Sequence, residues 1–102
     1  MSTQKHGPQL SANTAARRSC DARACLMMLP EYDSLVNKAL RKAIADPSFP
    51  AKQILALRRA AAIRLHRLQI LLRDMATTGN ATHAEEIDSI FTEMQEDIDV
   101  MS

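Results

Sequence analysis

The sequence predicts an all-α protein of three to four helices. It reads as a helical hairpin around a long central helix at about 51–77, with an acidic amphipathic helix at the C-terminus. Three observations predict this. Only two of the 102 residues are glycine, too few for a fold that turns sharply every ten residues. Ala (16), Leu (11) and Met (6) dominate the apolar set, while Ile and Val together total nine; the first three are the stronger helix formers. Apolar residues also recur at steps of three and four over most of the chain.

Residues 1–12 read as a disordered N-terminal arm, with Gly7, Pro8 and a lone Leu10 among polar residues. A single helical domain then occupies 13–102, the size of one small domain. A first helix is expected from Asn13 or Thr14 to about Met28. Pro30 suits the first position of a second helix, with Glu31 and Asp33 facing the positive end of its dipole. That helix runs to about Ala45, where Tyr32, Leu35, Val36, Ala39, Leu40, Ala43 and Ile44 form one stripe. Asp46-Pro47-Ser48-Phe49-Pro50 breaks the chain. Pro47 belongs in the connector, Pro50 in the first turn of the next helix, and Phe49 in the corner.

The long helix follows. Ile54, Leu57, Ala61, Leu65, Leu68, Leu72 and Met75 step by threes and fours, a seam of coiled-coil type. Ala56, Ala60, Ile63 and Ile70 form a second stripe, which predicts packing between two neighbours. Gly79 reads as the C-cap, and Thr82-His83-Ala84-Glu85 as a capping box. The last helix reaches about Val100, with Ile87, Phe91, Met94, Ile98 and Met101 on one side and acids on the other.

Charge is the sharpest functional signal. The net is only +1, yet all 13 bases lie between Lys5 and Arg73. They share residues 1–78 with five acids, a net of +8. Residues 79–102 hold seven acids and no base, a net of −7. Such asymmetry points to an interaction mode rather than to a fold. Lys52, Arg58, Arg59, Arg64, Arg67 and Arg73 are the candidate nucleic-acid contacts, able to neutralise a run of phosphates. Lys38, Arg41 and Lys42 add a second basic stripe. Near-absence of aromatics argues against single-strand stacking. The competing reading pairs these arginines with the acidic helix.

Ile87, Phe91, Met94, Ile98 and Met101 are the candidate partner interface, and the methionines suit an adaptable contact. No catalytic residue is expected. The carboxylates lie on a solvated helix face, no serine sits in an elbow motif, and His66 reads as a surface or interface residue. Cys20 and Cys25 lie five apart, too far round a helix to bridge and without metal-site spacing. They imply two semi-buried thiols in a reducing, cytoplasmic setting. No metal, no cofactor, no small-molecule substrate and no membrane span are expected.

The helix–Asp46-Pro47-Ser48-Phe49-Pro50–helix corner resembles the Pro-turn hairpin of type III secretion needle subunits over about residues 35–75, though the tail after Gly79 departs from it. The layout of basic helices, long hairpin and acidic C-terminus is similar to small subunits of phage DNA-packaging terminases. The first resemblance implies an assembling subunit, the second a DNA-binding accessory; no site residue transfers from either. The expectation is a non-enzymatic assembly or adaptor protein that self-associates or binds a protein partner. A DNA-binding accessory or regulatory protein using the arginine face is the alternative.

Overall fold

The computed structural model describes residues 14–102, and the expected arm at 1–12 lies outside them. Among the described residues the fold is all-α with three helices: α1 (Ala15–Ala45), α2 (Ala51–Thr78) and α3 (Ala84–Met101). The first two form an antiparallel hairpin, and α3 lies against both. The long dimension, 47 Å, matches the length of a helix of 31 residues at about 1.5 Å each.

The Thr14 side chain caps α1 by accepting from the Arg17 amide at 3.2 Å. The chain does not restart at Pro30, as the sequence predicts. Pro30 lies inside α1, so the expected helices at 13–28 and 30–45 are one. An interior proline forfeits a backbone bond and costs about 3 kcal/mol. Here the same helix buries Ala22, Cys25 and Leu29 before the proline and Val36, Ala39, Leu40 and Ala43 after it. Burial on both sides outweighs the local cost.

At the corner, Asp46 Oδ1 accepts from the Ser48 amide at 2.9 Å and from the Ser48 hydroxyl at 2.7 Å. These bonds to the charged form hold the Asp46 carboxyl below its usual value. Pro50 is the N-cap of α2 rather than a residue of its first turn; its carbonyl accepts from the Gln53 and Ile54 amides, both at 3.1 Å. Phe49 packs half-buried against the core.

Gly79 ends α2 in the left-handed region at φ 71°, its amide donating to the Met75 carbonyl. A Cβ there would come 2.7 Å from the Ala15 carbonyl oxygen, so the start of α1 packs on bare backbone. Two further bonds tie these ends together. Arg18 Nε donates to the Gly79 carbonyl at 2.8 Å, and the Ser19 hydroxyl to the Ala76 carbonyl at 2.6 Å. The expected capping box does not form. His83, not Thr82, is the N-cap of α3, and its side chain makes no capping bond. Backbone angles of −105° and 8° at His83 continue the preceding turn, without the extended geometry a capping side chain needs.

The core runs along the inner sides of all three helices. Leu68, Leu71, Leu72, Met75, Ile87 and Met94 are its large, fully buried members. Of the predicted seam, Ala61, Leu68, Leu72 and Met75 are buried, while Ile54, Leu57 and Leu65 are half-buried. The second stripe of α2 is not covered by a neighbour: Ile63 is 68% exposed and Ile70 49%.

Candidate interaction surface

The predicted arginine face divides in two. Arg67 forms a two-pronged pair with Glu86, its Nε and a terminal nitrogen each donating to one carboxylate oxygen, at 2.8 and 3.1 Å. That pairing raises the Arg67 value and lowers that of Glu86. Arg64 reaches Asp97 and, at 3.3 Å, Glu93. These two arginines clamp α3 onto α2. Lys52, Arg58, Arg59 and Arg73 are exposed and make no ion pair among the described residues.

The predicted partner residues of α3 sit elsewhere than on the surface. Ile87, Phe91, Met94 and Met101 are buried and Ile98 is half-buried, all within the chain's own core. The Phe91 ring meets that of Tyr32 at 5.2 Å between centroids, tilted by 47°. Burial, then the nearby Cys25 thiol, raises the Tyr32 value. The apolar face of α3 is therefore occupied by the hairpin.

What remains open is the other side of that hairpin. Leu26, Leu29, Pro30 and Asp33 of α1 and Ala62, Leu65, His66 and Gln69 of α2 line a trough of about 570 Å³. On a helix, residues two apart point about 200° away from each other. Ala62 and His66 thus face away from Arg64, which holds α3. Exposed arginines follow at helical spacing along the trough. Arg58 and Arg59 are one turn before Ala62, and Arg73 one turn after Gln69. On α1, Arg23 is one turn before Leu26, and Arg41 lies just over two turns past Asp33. None of the five has an ion-pair partner among the described residues.

Sequence reasoning missed this trough. Its signal was present in the spacing of Arg23 with Leu26 and Pro30, but which stripe of a helix stays open is decided by where α3 lands. The thiols also differ from expectation. Cys20 is exposed and Cys25 buried, rather than both half-buried. Burial, with Asp21 and Asp88 nearby, pushes the Cys25 thiol up to about 11. Among the described residues no group of three or more His, Cys, Asp and Glu is placed to hold a metal. No helix among them is long and apolar enough to cross a membrane. Comparison with protein-family models, curated proteins and solved structures returns no match.

Proposed function

We propose that the chain is a non-enzymatic helical assembly or adaptor protein, joining a second copy or another protein through the sides of the hairpin that α3 leaves open. The observation that carries this reading is the set of large apolar residues left in water on those sides. Met27 is 81% exposed, Ile63 68% and Leu55 56%. Single exposed apolar residues are ordinary, but a run of them along both helices beside an open trough is the pattern of a contact surface. A reducing, cytoplasmic setting goes with it, supported by two unbridged cysteines.

Sedimentation velocity over a hundredfold range of concentration tests self-association. The expected result is a particle heavier than 11.3 kDa that returns to monomer in the double variant Ile63→Glu, Ile70→Glu. Both positions are exposed, so the variant should keep its unfolding midpoint. A monomer at every concentration removes the self-assembly arm and leaves partner binding.

The nucleic-acid alternative keeps one specific support, the exposed Lys52, Arg58, Arg59 and Arg73, which make no ion pair among the described residues. Retention of the full chain on a DNA column, lost steeply with salt, is its expected signature. Passage of the chain through that column at low salt removes it.

A further inference from the structure

We propose that the trough between α1 and α2 receives an amphipathic helix of a partner protein, one with an apolar stripe flanked by carboxylates. The proposal rests on the adaptor reading above and names the chemistry of its partner. Three observations carry it. The floor is mixed, its larger apolar part made by Leu26, Leu29, Pro30, Ala62 and Leu65 and its polar part by Asp33, His66 and Gln69. The rim is cationic, with Arg23 and Arg73 towards one end and Arg41, Arg58 and Arg59 towards the other. The third observation is α3 itself. The same hairpin already binds one acidic amphipathic helix on its opposite side, burying Ile87, Phe91 and Met94 and engaging Arg64 and Arg67 with carboxylates.

A groove between helices takes a helix by anchors spaced three, four and seven apart. A matched charge rim adds rate and register. A nucleic acid would use the rim but gain nothing from the apolar part of the floor. The α3 of a second copy is already seated on its own hairpin, so the occupant comes from another protein.

The probe is a fluorescent synthetic peptide with the sequence of residues 82–102, which has the required stripe and charges. It is titrated by anisotropy against the full chain. Binding is expected at low salt and should weaken as ionic strength rises. Ala62→Glu, in the floor, and the pair Arg58→Glu, Arg73→Glu, on the rim, should each weaken it by about tenfold or more. All three positions are exposed, and an unchanged unfolding midpoint confirms that the variants fold. Arg67→Gln should leave binding unaltered. If Arg67→Gln abolishes binding instead, the peptide is displacing α3 and the proposal is overturned. Equal binding of polyglutamate or a DNA duplex, insensitive to Ala62→Glu, also overturns it, because the rim is then a polyanion surface. Absence of peptide binding overturns it outright. In that case a particle that still sediments as an oligomer keeps the adaptor reading through self-assembly, and a monomer leaves that reading only a partner bound outside the trough.

Discussion

The half of the hairpin beneath α3 and the half that runs on to the proline corner obey the same sequence periodicity, yet they bury very different side chains. Leu68, Leu71, Leu72, Met75, Ile87 and Met94 are fully buried, and all belong to the three-helix half. Towards the corner, Phe49, Ile54 and Leu57 are only half-buried, and Ile44 and Leu55 are more than half exposed. The close contacts there are made mainly by alanine, with Ala39, Ala43 and Ala61 buried and Leu40 the large side chain buried among them. Two helices share one line of contact, which small residues fill. A third helix is needed to enclose a leucine or methionine from every side.

The largest effect expected from this contrast is that of removing everything after Thr78. Ile87, Ile90, Phe91, Met94 and Met101 would be lost from the core, and each buried side chain of this size is worth about 1.5–3 kcal/mol. Cooperative unfolding should disappear from the thermal melt, or aggregation should replace it; an unchanged melt would refute the described docking of α3. The same fragment releases Arg64 and Arg67 from their carboxylates and removes seven acids, so its salt-sensitive DNA retention should rise.

Next in size is Leu68→Ala, expected to cost about 2–5 kcal/mol in denaturant unfolding. Ile54→Ala, in the two-helix half, should cost about 1–2 kcal/mol because its site is already partly open to water. Equal losses would erase the distinction between the halves. Gly79→Ala should cost about 1–2 kcal/mol for the left-handed backbone alone, and more if the Ala15 carbonyl cannot retreat. An unperturbed midpoint would mean that the two helix ends are not clasped there.

The smallest effect is on pH dependence. The folded chain keeps a proton on Cys25 up to about 11, against an ordinary 9.0. The stability this confers is complete below the lower value and is lost as pH rises towards the upper one. Cys25→Ala should flatten that part of the curve. Thiol labelling at pH ~8 should accordingly modify Cys20 quickly and Cys25 only on unfolding. Comparable rates at both would contradict the burial of Cys25.

Much of the architecture was legible because its signals are local. Two prolines around Phe49 break any helix, and a glycine after Thr78 caps one, whatever else the chain does. The seam through Leu68 and Met75 was legible by period. Pro30 was misread because a local rule was applied where packing on both sides of the proline prevails. Thr82 was misread because a capping box depends on backbone angles that the preceding turn decides. Periodicity separated the two stripes of α2, but it placed a neighbour over both, and one of them stays open. Ile63 and Leu68 are equally apolar, and only the placement of α3 makes one core and the other surface. For the same reason the arginine face looked continuous in sequence, although Arg64 and Arg67 serve α3 while Arg58, Arg59 and Arg73 do not.

That division also makes the molecule electrically two-sided. Among the described residues Glu85 and Glu96 stay exposed without a cationic partner on the α3 side, and the arginines without an ion pair lie along the trough on the other. With a net charge of +1 and a pI near 7.8, the chain is close to neutral only in sum. Charges of one sign, gathered on one face, adsorb to a resin as a patch rather than as an average. At low salt near its isoelectric point the protein should therefore be retained by both anion and cation exchangers. Each resin would hold it by the opposite face, so a charge reversal on the trough would shorten elution from only one of the two.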